Sequence, residues 1–172
     1  PDTNGDLVPD ACQTNSILAY CSGDGTSTAC PCGNAGSAGN GCGSSLFAGG
    51  ANLGWSGVPA VSHDNFVLHG TQMPNSSALY FQGTGQQSGG QGSVFGDGLR
   101  CASGSVIRLA TKLNSGATSR YPDVGDPSIS VRGSIPSVGG NRTYQVWYRN
   151  AAAFCTPSTF NLTNGLTVTW QL

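Results

Sequence analysis

Residues 159–170 read Thr159-Phe160-Asn161-Leu162-Thr163-Asn164-Gly165-Leu166-Thr167-Val168-Thr169-Trp170. β-Branched, aromatic and aliphatic residues flank Asn164-Gly165, a pair that tolerates positive φ at both centres of a type I′ turn. The stretch therefore predicts a closing β-hairpin within 158–171. Working backwards, short β-rich runs bounded by Gly, Pro, Asn and Asp predict strands over 143–149, 128–132, 105–112, 78–82 and 65–69. In the first of these, Tyr144, Val146 and Tyr148 alternate with Gln145, Trp147 and Arg149, so both faces carry substance. In 105–112, Val106, Arg108, Ala110 and Lys112 alternate poorly with Ile107, Leu109 and Thr111, which predicts cover on both faces for part of its length. Short strands at this spacing without a helical period predict an all-β fold, a disulfide-stapled β-sandwich with jelly-roll-like connections.

Composition supports that class and excludes others. The 172 residues include 27 Gly, no Glu and one Lys, so most strong helix formers are missing. Only 9% of residues are charged and the net charge is −1, which provides no basic field for nucleic acid. Apolar runs are a few residues long, against the ~20 needed to span a bilayer as a helix. The chain opens on Pro1 without a signal peptide, which reads as a processed or truncated product. Three regions follow: an acidic segment over 1–13, a Cys/Gly-rich segment over 14–45, and a β region over 46–172, with 14–172 forming one domain.

Seven cysteines in a chain poor in Lys and Glu point to an oxidising, extracellular or cell-surface setting. Structural zinc requires close Cys or His pairs. Cys30-x-Cys32 is the one close Cys pair, and His63 and His69 have no standard spacing relative to it. Cys30 and Cys32 are too close to bridge each other comfortably. The expected pairs are Cys21–Cys32 and Cys30–Cys42, with the crossed arrangement open, and a long-range Cys101–Cys155. Cys12 is left over, either as a free thiol or for an intermolecular bond.

Asp2, Asn4, Asp6 and Asp10 are spaced so that a looped backbone would turn their oxygens towards one cation, with the Val8 carbonyl as a further ligand. This many hard oxygens suits Ca²⁺. Leu7 stands where an EF-hand has its glycine, and Gln13 where it has its closing glutamate. The pattern resembles instead the Asp-x-Asn-x-Asp-x-x-Pro-Asp-x-Cys calcium repeat of thrombospondin type 3 modules and dockerin-like linkers, and the resemblance covers residues 2–12. That repeat commonly ends in Cys, as this one does at Cys12. The run Tyr20-Cys-Ser-Gly-Asp-Gly-Thr, with Cys30-Pro-Cys-Gly-Asn, Phe95-Gly-Asp-Gly-Leu-Arg-Cys, Tyr144-Gln-Val-Trp-Tyr-Arg and the stretch 154–165, resembles an uncharacterised Cys-containing β module of large secreted bacterial surface proteins. That resemblance implies an extracellular β domain and no particular activity.

No catalytic constellation is expected. Asp24, Asp64, Asp97, Asp123 and Asp126 lie in turn-like contexts where Asp usually serves the backbone. No Gly-x-Ser-x-Gly occurs, and nothing near His63 or His69 completes a triad. Trp55, Trp147, Trp170, Tyr144 and Tyr148 are either core residues or sugar-stacking platforms, with Trp55, Trp147 and Tyr148 the candidates for stacking. Asn75, Asn141 and Asn161 begin glycosylation sequons of the kind that a chain rich in Asn, Ser and Thr makes by chance. A neutral, small-residued, β-rich chain with apolar terminal strands predicts a self-assembling structural subunit of an extracellular bacterial fibre, a homo-oligomer polymerising through terminal-segment docking or strand exchange. The alternative is a carbohydrate-binding or adhesion module of a larger surface protein.

Overall fold

A computed structural model describes residues 17–172, and within them the chain is all-β with three disulfides. The acidic segment, including Asp2, Asn4, Asp6, Val8, Asp10 and Cys12, lies outside the described residues. The largest sheet has the order β1 (Ile17–Tyr20), β13 (Gly165–Trp170), β11 (Gly140–Arg149), β4 (Ser77–Gly83) and β9 (Ile107–Leu113). A second sheet orders β10 (Ser119–Tyr121), β3 (Val67–Thr71) and β2 (Asn52–Ser56). All these neighbours are antiparallel. Two small ribbons pair β5 (Gly85–Gln86) with β8 (Ala102–Ser103), and β6 (Ser93–Phe95) with β7 (Gly98–Arg100). The segment before residue 45 is thus more than a stapled loop, since β1 forms an edge of the main sheet.

One core joins the two main sheets. Leu53, Phe66 and Leu68 meet Tyr80, Tyr144, Val146, Tyr148, Leu166, Val168 and Trp170, all essentially without solvent exposure. Burying aromatic residues requires partners for their polar atoms. Trp170 Nε1 donates to Tyr144 Oη (2.8 Å), Tyr144 Oη donates to Gln82 Oε1 (3.0 Å), and Gln82 Nε2 donates to the Gly133 carbonyl (2.9 Å).

The expected closing hairpin does not form. β12 (Phe160–Leu162) and β13 both pair with β11, Trp147 opposite Leu162 and Tyr144 opposite Leu166. Four steps of one strand thus run against three of the other, which is a β-bulge at Thr163-Asn164. Asn164 is fully buried and acts as a piece of ladder between the sheets: Leu53 N–H donates to its Oδ1 (2.8 Å), and its Nδ2 donates to the Leu53 carbonyl (3.2 Å). Gly165 is required by close approach, because a Cβ there would stand 2.6 Å from the Tyr20 ring and 2.9 Å from Cys101. The signal read as a turn marks a bulge.

The strand expected over 128–132 is a single helical turn, α1 (Ile129–Arg132). Ile129 is buried, Ser130 N–H donates to Asp64 Oδ2 (2.7 Å) and Arg132 Nε to the Leu109 carbonyl (3.0 Å). Contacts from distant loops thus override a weak local alternation. The poor alternation of 105–112 also has a cause. The β4–β9 register shifts between Tyr80 and Phe81, so Tyr80 opposes Ala110 while Phe81 opposes Arg108. Leu109 and Ala110 both pack towards the core, and Arg108 stays exposed.

The disulfides are Cys21–Cys101, Cys30–Cys42 and Cys32–Cys155. Cys30–Cys42 follows the expectation, whereas Cys21–Cys32 and Cys101–Cys155 are replaced by two long-range bridges. The reason is the far side of β11. Gln145 there bonds Cys101 N–H and the Leu99 carbonyl, and this Leu99–Cys101 layer packs together with Cys21, which directly follows β1. Closing loops of 80 and 123 residues removes about 4.5 and about 5 kcal/mol of unfolded-chain entropy in the chain-entropy model. These bridges pair all six cysteines among the described residues.

Candidate functional site

An open groove of about 480 Å³ lies on the outer face of the main sheet. Its floor follows from register. Leu79 of β4 is opposite Trp147 of β11 on one side and Thr111 of β9 on the other, so the three share a face. Phe81 and Arg108 continue that face across the register shift. The β6–β7 hairpin adds Phe95 and Arg100, and Val106 and Leu162 complete the lining. Phe95 and Trp147 of the lining both pack on Phe160 behind them, with ring centroids 4.8 Å and 5.3 Å away. Phe95 remains 43% exposed and Val106 41% exposed, so this apolar surface is substantially open.

The polar side chains of the groove are Thr111, Arg100 and Arg108. Arg100 Nε donates to the Ala102 carbonyl (3.2 Å). The ion pairs among the described residues are Lys112–Asp126 and Arg120–Asp123, so neither groove arginine faces a carboxylate.

A second cleft, of about 470 Å³, is polar and contains His69, Lys112, Arg120 and Asp123. Ser56 Oγ lies 2.7 Å from His69 Nε2. Burial, with Arg120 alongside, pulls the His69 pKa below its usual value. The nearby Asp123 is engaged by Arg120 (2.7 Å), which stands opposite His69 in the β10–β3 register. His63 lies in a short 3₁₀ turn over Val61–His63 and does not share a strand face with His69. Asp123 and Asp126 shape one turn, with Asp123 N–H donating to Asp126 Oδ2 (2.7 Å). The Arg120 bond holds the Asp123 carboxyl below the ordinary range. At Asp126 burial opposes ionisation, but the Lys112 bond prevails and its pKa is also lowered.

The proposed stacking residues are not brought together. Tyr148 is fully buried in the core, as are Tyr144 and Trp170. Trp55, 42% exposed, stands on the smaller sheet, while Trp147 lines the groove. Asn161 is buried, with Nδ2 donating to the Gly43 carbonyl (2.9 Å), so its sequon is inaccessible in the folded chain. Sequence reasoning missed Leu79, Phe81, Phe95, Arg100 and Arg108. The signal for Leu79 and Phe81 was an outward apolar alternation in 78–82, which reads equally as a covered face; Phe95, Arg100 and Arg108 had no such signal. Among the described residues no cluster of three or more His, Cys, Asp or Glu side chains could hold a metal, and no helix is long and apolar enough to cross a membrane.

No protein-family model matches this chain, and no curated protein or solved structure matches it.

Proposed function

We propose that this chain is a structural subunit of an extracellular fibre or surface assembly, in which a segment of one copy docks into the groove of the next. The groove carries this reading. It is open, aromatic and apolar, and its lining has no carboxylate or carboxamide. A sugar site needs convergent hydrogen-bonding groups around its stacking ring, whereas an apolar polypeptide segment needs mainly a desolvated trough. Docking is favoured over exchange of β1, because Cys21 follows β1 directly and ties it to Cys101 of its own chain. Three disulfides fit an oxidising location. Light scattering across a concentration series, with Ca²⁺ and after chelation, should show growing particles in at least one condition. A monomer throughout would refute the proposal. Trp147 in the groove favours one second reading, a carbohydrate-binding module. Retention on a polysaccharide matrix that is lost in Trp147→Ala, without self-association, would establish that instead.

A further inference from the structure

We infer that the groove on the outer face of β4, β9 and β11 is the receptor for the acidic segment 1–16, with its carboxylates meeting Arg100 and Arg108. This rests on the assembly reading above and identifies the docking partner.

Charge divides the chain unevenly. Residues 1–16 hold Asp2, Asp6 and Asp10 and no Lys or Arg, which leaves five carboxylates against seven basic side chains in the remainder. Two of those basic groups are consumed in ion pairs, while the two at the groove have no carboxylate partner among the described residues. A carboxylate brought beside a guanidinium at the edge of an apolar trough forms a charge-assisted bond, often bidentate.

Shape agrees with charge. Between Asp6 and Asp10 lie Leu7, Val8 and Pro9, an apolar centre flanked by acids. The residue before proline is biased towards extended backbone, and extended proline-containing segments dock into aromatic-lined grooves. Phe81, Phe95 and Trp147 provide the aromatic lining, with Phe160 packed against the last two. The sixteen residues ahead of Ile17 can span about 53–58 Å when extended.

Cys12 provides the probe, because the six other cysteines are paired with one another. Isotopically heavy full-length oxidised protein, carrying a thiol-linked benzophenone on Cys12, is mixed with light Cys12→Ser protein, irradiated and mapped by mass spectrometry. Heavy–light cross-links should fall in the 95–111 stretch or at Trp147. Arg108→Glu, an exposed change, should lower their yield at least fivefold, and pairing it with Asp6→Arg should restore most of it. Assembly with cross-links elsewhere, or an Arg108→Glu variant that cross-links like wild type, overturns this inference and leaves the assembly reading intact. Cross-links into the groove only within single copies support the groove as receptor and overturn assembly between copies. Absence of both cross-links and assembly overturns both.

Discussion

Gln145→Leu should destabilise the protein by about 3–9 kcal/mol, although the two side chains are similar in volume. Gln145 has no solvent exposure and sits on the side of β11 away from the aromatic core. Its Oε1 accepts from Cys101 N–H (2.8 Å), and its Nε2 donates to the carbonyls of Leu99 (2.8 Å) and Thr163 (2.7 Å). One amide therefore ties β11 to the disulfide layer and to the bulge. Leucine leaves three backbone groups buried without partners, at about 1–3 kcal/mol each. Total stability is typically about 5–15 kcal/mol, so the variant should be close to unfolding. Urea denaturation of the oxidised protein gives the measurement, read as a fall in midpoint at unchanged slope. Gln86→Leu is the control: its amide donates to Thr167 Oγ1 (2.8 Å) in an exposed setting, and its effect should remain within about 0.5 kcal/mol. A loss below about 1 kcal/mol for Gln145→Leu would refute the assigned role.

Four further outcomes are expected. Asn164→Ala removes both bonds to Leu53 between the sheets and should cost about 2–4 kcal/mol in the same urea assay. Joint Cys32→Ala and Cys155→Ala should cost about 2–5 kcal/mol and speed proteolysis near 151–158, a loop otherwise held by Thr156 N–H and Oγ1 donating to Asp97 Oδ1 (2.9 and 2.7 Å). Burial raises the pKa of all five tyrosines, pushing Tyr121 up to about 12. The folded chain should therefore show little phenolate absorbance at pH near 10, where free tyrosine is half ionised. The unfolded chain releases those protons first, so stability should fall as pH rises through about 10. If the acidic segment closes around Ca²⁺, calorimetric titration of the full chain should detect binding that Asp6→Ala weakens at least tenfold.

Some of the fold was legible residue by residue. β11 could be read as two-sided because Tyr144, Val146 and Tyr148 alternate with a second set containing Gln145 and Trp147; the structure buries the first set in the core, while the second runs from buried Gln145 to Trp147 in the open groove. Asn164-Gly165 was misread because a type I′ turn and a bulge use the same residues, and the choice depends on whether Leu53 is there to bond the amide. In the groove, Trp147 was legible as an aromatic candidate. Arg108 was not, because its outward placement depends on a register shift between β4 and β9 that neither strand encodes alone.

The amino-acid sequence by itself determined the class: without glutamate and with short β-branched runs between glycines, the chain has strands to form and almost no means of forming long helices. It also specified that the cysteines must bridge, since so many in so uncharged a chain suit an oxidising setting. Tertiary structure alone decided which cysteines meet, because a disulfide requires Cα atoms within about 4.4–6.8 Å and only the packing of β1 and the outer layer on β11 brings Cys21 to Cys101 at 5.8 Å. It alone decided that one sheet face stays open, because alternation marks two faces but not which of them another layer covers.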